Sequence, residues 1–175
     1  MNGKIEAKAA PPAPTPAPAV EPAAYNALVS SARLRDLRLV KSEFNLDPEG
    51  LEPDPTWKQV HSCELQQSHY DAENSLLVAW ISAEANCLKK RKKILSVKCR
   101  YLVVYEVEGT PDDLIIQAFS KRVARFAAYP YFRAHFAELV SQAGVSIPPL
   151  PIIKERKVLP NPEQAKKILA SEAAR

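Results

Sequence analysis

The sequence predicts an α+β fold built on an antiparallel sheet. Three observations carry that reading. Residues 94–107 alternate without a break, with Leu95, Val97, Cys99, Tyr101, Val103, Tyr105 and Val107 forming one set, and a period of two is the side-chain geometry of a strand. Directly after it, Thr110-Pro111-Asp112-Asp113 reads as a helix start: Thr caps, Pro fits the first turn, and the two Asp favour the positive end of the helix dipole. Strand-like segments fill the first part of the chain and helical ones the last, which is the order of an α+β domain rather than of alternating β-α units.

The elements follow in order. Residues 1–24 are dominated by Ala and Pro (KAAPPAPTPAPAVEPAA) and predict an extended, disordered tail, because proline removes amide donors and alanine has little to bury. A short helix over 25–33 is compatible with the pattern. Residues 33–46 place Leu37 and Leu39 out of phase with Phe44 and Leu46, so a strand there needs a bulge near Lys41 to bring both pairs to one face. The stretch 47–57 (DPEGLEPDPTW) is a loop, carrying Leu51 and Trp57, which are apolar for a connection. Strands are expected at 60–69 and 75–88 around a turn at Asp71–Asn74, and Lys89–Lys93 then forms the tip of a hairpin. After 94–107, Ile115, Phe119, Val123 and Phe126 recur at helical spacing. That helix is expected to end at Tyr129, because Pro130 disrupts a helix interior and biases the residue before it away from helical angles. A second helix carries Phe132, Phe136, Leu139 and Val140 and stops at Gly144. Pro148, Pro149 and Pro151 hold Ile147, Leu150, Ile152 and Ile153 in an extended line. Residues 154–175 are a basic extension, with a short helix over 161–174. The folded part is therefore 25–153.

Composition excludes several classes. Of 175 residues, 46% are hydrophobic and 25% charged, which is globular rather than disordered. The net charge of +4 is too mild to demand nucleic acid. Cys63, Cys87 and Cys99 are an odd, widely spaced set and read as buried thiols in a reducing compartment. There is no secretory leader pattern and no run of the ~20 apolar residues that would span a bilayer. The reading is cytoplasmic, with no membrane insertion. Enzyme signatures are missing as well: there is no glycine loop for phosphates, no nucleophile elbow, and His61, His69 and His135 lack metal-ligand spacing. No cofactor is expected.

Two features remain. Lys89-Lys90-Arg91-Lys92-Lys93 is either a solvated turn that discourages edge pairing or a contact for anionic partners, which would make the chain a nucleic-acid-binding module; it lacks the interleaved aromatics that stacking on bases wants. Trp57, Leu51, Ile147, Leu150, Ile152 and Ile153 either line an open apolar groove or simply cover the sheet.

Tyr129-Pro130-Tyr131 followed by Arg133, then Leu139-Val140-Ser141, Gly144, Pro148 and Leu150, resembles the C-terminal signature of the SecB protein-export chaperone family. The likeness covers residues 33–153. It implies a four-stranded antiparallel sheet followed by two C-terminal helices, and a homotetramer built as a dimer of dimers. It also implies an ATP-independent holdase that keeps unfolded precursor proteins competent for export and passes them to the SecA motor. By position in the pattern, Leu51, Trp57, Ile147, Leu150 and Ile152 fall in segments that line the family's client groove, and Glu43 and Asp47 match its acidic SecA-contact pair. The sequence departs from the pattern in charge: it is basic overall, and Lys98 stands where the family has an acidic residue. Some SecB-like proteins instead protect the antitoxin of a toxin–antitoxin pair, and the divergent charge suits that role equally.

Overall fold

The computed structural model describes residues 20–48 and 56–153. Four long strands form one sheet: β1 (Arg33–Leu46), β2 (Lys58–Asp71), β3 (Leu76–Lys89) and β4 (Lys92–Glu106). Every neighbouring pair is antiparallel, and the order is β1-β4-β3-β2, so β1 and β2 are the edges. A short helix α1 (Pro22–Ser31) precedes the sheet, and α2 (Asp113–Phe119), a π-turn (Ser120–Ala124) and α3 (Arg125–Gln142) follow it. Pro22 starts α1 near its first position, where its missing N–H costs nothing. The Ala/Pro-rich residues 1–19, Leu51 and the extension 154–175 lie outside the described residues.

The alternation read from the sequence sets the two faces of the sheet. Leu95, Val97, Cys99, Tyr101, Val103 and Tyr105 of β4 are buried, with Leu77, Ala79, Ile81, Ala83, Ala85 and Cys87 of β3 beside them. The helices cover this face. Burial along them recurs every four residues, at Ile116, Ser120, Ala124, Ala128, Phe132, Phe136 and Val140. An α-helix turns 100° per residue, so such a stripe drifts by about 40° at each step. The wider π-turn gives part of that drift back and keeps the stripe on the sheet.

Pro130 does not end a helix. It sits inside α3, which runs unbroken from Arg125 to Gln142, and the irregularity lies earlier, at 120–124. Local preference disfavours this by ~3 kcal/mol. Tyr129, Phe132 and Phe136, at 3%, 0% and 1% exposure, oppose it with roughly 1.5–3 kcal/mol each when fully buried, so tertiary burial wins. At the C-terminal end the stop falls where expected. Gly144 takes φ +68°, its N–H donates to the Ser141 carbonyl, and Val145 N–H donates to the Val140 carbonyl, the paired bonds of a Schellman cap.

Three further details refine the sequence reading. The bulge expected near Lys41 is present between Leu39 and Lys41, with a second between Leu34 and Asp36. Asp112, not Thr110, occupies the cap position of α2. The hairpin strands extend into the basic run, leaving Lys90 and Arg91 as the tip, with Lys90 at φ +57°. Lys92 pairs with Asp47 at 3.0 Å and Lys93 with Glu84 at 3.3 Å, so part of this charge is neutralised within the fold.

The β2–β3 turn shows how a loop is fixed. The Asp71 carboxylate accepts from the Asn74 side-chain amide at 2.7 Å, and from the backbone N–H groups of Glu73 and Asn74 at 3.1 and 3.3 Å. The bond from the Asn74 side chain is the largest cause holding this carboxyl below its ordinary pKa. A depressed carboxyl stabilises the fold above its unfolded pKa and loses that contribution as pH falls through the folded one. Asp71→Ala is therefore expected to lower the denaturation midpoint at neutral pH, with the difference shrinking as pH falls below the ordinary Asp value of 3.8; equal shifts at neutral and acid pH would refute the assignment.

Candidate peptide-binding site

β2, α3 and the segment after α3 converge at one corner of the molecule. Trp57 immediately precedes β2 and continues the line of Gln59, His61, Cys63 and Leu65, which face the helix layer. From α3, Tyr129 and Arg133 are one turn apart and point the same way. Between these elements passes the proline-rich tail, residues 147–153.

The tail is held by side-chain donors to its carbonyls. Gln59 Nε2 donates to Pro148 O at 3.1 Å, Arg133 Nε to Leu150 O at 2.6 Å, and Tyr129 Oη to Pro151 O at 2.6 Å. The Tyr129 ring in turn lies 6.0 Å from His61 and 6.3 Å from Phe132. Proline explains this pattern: Pro148, Pro149 and Pro151 have no N–H, so the segment cannot join the β2 edge as a full strand and is fixed through its acceptors instead.

The sequence-derived groove residues divide by environment. Leu150 is fully buried in the core, so it anchors the tail rather than offering a surface. Ile147 is half-buried against the core, and Ile152 is 69% exposed. Trp57 is half-buried against the core, two residues before Gln59 on the same line, and its indole N–H is shielded from solvent without an acceptor among the described residues. Trp57 and Ile147 thus keep part of their apolar surface uncovered and Ile152 most of it. Gln59 was not legible as part of this site, because a lone Gln at an inward strand position carries no local signal. Tyr129 and Arg133 stood in the signature without an assigned role; their one-turn spacing is the signal that they act together.

The acidic pair lies elsewhere. Glu43 faces Lys98 across the β1–β4 ladder on the side of the sheet away from the helices. Its carboxyl is held below the ordinary value, first by the hydrogen bond from Lys41. Asp47 follows β1 and pairs with Lys92. Both carboxylates are therefore engaged with cations inside the fold.

The described residues contain no cluster of His, Cys, Asp and Glu arranged to hold a metal ion. The three cysteines are buried and unpaired. Burial raises all three thiols, Cys63 to about 12, which suits packing rather than nucleophilic chemistry. His135 Nε2 lies 2.9 Å from Ser42 Oγ and ties α3 to edge strand β1. No helix among the described residues is long and apolar enough to cross a membrane.

Sheet order, helix layer and proline-held tail together define a SecB-like fold. Among solved structures, the chain is similar to the SecB-like chaperone Rv1957 of Mycobacterium tuberculosis, which was solved in complex with a ChAD peptide from the Rv1956 HigA1 antitoxin. The TM-score is 0.64 at 19% sequence identity, over 76% of this chain and 98% of that one. No protein-family model matches the chain, and no curated protein does.

Proposed function

We propose that this protein is an ATP-independent holdase that binds extended, unfolded chains along the groove formed by Trp57, Ile147 and Ile152. One observation carries the reading: the tail is clamped through three carbonyls while Ile152 on it stays exposed. A clamped wall reduces the ordering cost of binding. Apolar side chains give capture with little sequence selectivity. A protein that binds only the unfolded state holds it there by mass action, with no nucleotide needed. Leu51, which lies outside the described residues, is proposed as a further groove residue.

The clients we propose are unfolded precursor proteins held for export, with Glu43 and Asp47 as the contact for SecA. A second reading, protection of an antitoxin, is favoured by the antitoxin peptide seen with the similar Rv1957 and by the cations already paired with Glu43 and Asp47. Light scattering of an aggregating client tests the common claim: suppression at stoichiometric protein without ATP is expected, and its absence would refute the holdase. Co-purification from the native cell separates the two readings, since precursors with leader peptides and a single antitoxin are different catches.

The assembly we propose is a homotetramer, a dimer of dimers. Leu34 and Leu39 face the helix side of edge strand β1 and are 46% and 42% exposed, so the helices stop short of them and leave an apolar margin beside an unpaired edge. Leu39→Glu is expected to lower the sedimenting mass of the assembly. A mass unchanged at micromolar concentration would place the interface elsewhere.

A further inference from the structure

The β3–β4 hairpin projects past both of its neighbours. β1 stops opposite Leu95 and β2 begins opposite Leu88, so the two strands run on without edge partners to the turn at Lys90 and Arg91. At ~3.3 Å per residue, the turn stands roughly 7 Å beyond the start of β2. Lys90 holds φ +57°. Glycine takes that left-handed angle without penalty, whereas a residue with a Cβ takes it at a cost. Local preference points to glycine, and the chain places a cation there. Lys92 and Lys93 are answered by Asp47 and Glu84. Among the described residues, exposed Lys90 and Arg91 have no ion pair, and neither has Lys58, which stands opposite Leu88 at the same end. The far end of the sheet is acidic: Asp71 and Glu73 in the β2–β3 turn, and Glu106, Glu108, Asp112 and Asp113 at and after the end of β4, against Arg33 and Arg35.

We propose that the hairpin tip is a peripheral contact for the anionic headgroups of a lipid bilayer, touching the surface without entering it. Three exposed, unpaired cations at a convex tip suit a plane of charge, and each Lys or Arg held near such a surface strengthens binding about fivefold. The acidic far end turns the molecule tip-first toward that plane. A nucleic acid fits less well. Its phosphates are fixed along a chain, so those beyond the tip would run against Asp47 and Glu84, whereas lipids in a fluid bilayer gather beneath three charges. From Ile81 to Arg100 the chain also has no aromatic residue on which a base would stack. The proposal stands apart from the holdase reading, because Lys58, Lys90 and Arg91 take no part in the Trp57 groove.

Flotation of the full chain with vesicles tests this. The full chain keeps Glu49, Glu52 and Asp54 of the β1–β2 connection, so their charge counts against binding in the measurement. Binding is expected to vesicles of phosphatidylcholine and phosphatidylglycerol in equal parts, and not to phosphatidylcholine alone, and it should weaken as salt rises. Lys90→Gly and Arg91→Gln should each weaken binding about fivefold, and together about 25-fold. Lys90→Gly should meanwhile keep or raise the denaturation midpoint, because glycine relieves the left-handed angle; that separates lost charge from lost fold. Lys121→Gln removes an exposed cation of the π-turn and should leave binding in place. Equal binding to the two vesicle types, an unchanged affinity in the double variant, or an equal loss in Lys121→Gln would overturn the proposal. So would equal competition by inorganic phosphate, which would mark a generic anion site, or by a duplex RNA, which would mark a nucleic-acid contact.

Discussion

Leu150→Ala is expected to destabilise the tail and to abolish client capture together. Leu150 is fully buried, and removing such a side chain costs about 2–5 kcal/mol. That is a large share of the roughly 5–15 kcal/mol that holds a domain together. Its carbonyl is also the acceptor for Arg133 Nε, so loss of the side chain loosens a hydrogen bond that depends on the same placement. The tail lies near the end of the described chain and can lift without opening the sheet, which limits the global cost to the free energy of docking. Chemical denaturation should therefore show a modest fall in midpoint. Limited proteolysis with a protease of low specificity should cut the loosened tail faster than in the parent chain. Full retention of client binding in a variant whose tail has lifted would remove this wall from the groove.

Trp57→Ala is expected to have the opposite balance: a large loss of binding with a smaller loss of stability. Trp57 packs against the core only in part, and its N–H has no acceptor among the described residues. Truncating a central aromatic anchor of an interface commonly costs ~2 kcal/mol or more, which is about a thirtyfold rise in Kd. Isothermal titration with a reduced, unfolded client measures it. Trp57→Phe keeps the ring and loses the N–H, so it should recover most of the apolar contribution. An unchanged Kd in Trp57→Ala would exclude the residue from the site.

The sheet was largely legible because burial there follows the simplest repeat. The β4 set from Leu95 to Val107 alternates, and the structure buries each of its members. The bulge near Lys41 was visible for the same reason, since two apolar pairs out of phase need an extra residue between them. Pro130 was misread because the rule against internal proline is local, whereas the stripe that overrides it depends on a sheet distant in sequence. The tail has no regular secondary structure and is fixed through its carbonyls. Its inside and outside could not be told apart, because a proline-rich line has no period that separates Leu150 from Ile152.

The π-turn at 120–124 bears on how the chain tolerates changes in length. A one-residue deletion within an ordinary helix rotates everything beyond it by about 100°, which would turn Phe132 and Phe136 off the sheet. A π-turn accommodates one residue more than an α-helical turn does. Deleting one residue from Ser120–Ala124 should therefore leave a plain α-helix with both flanks still in phase. Within the long helical run, this turn is the place where homologous chains can differ by one residue and keep the same core.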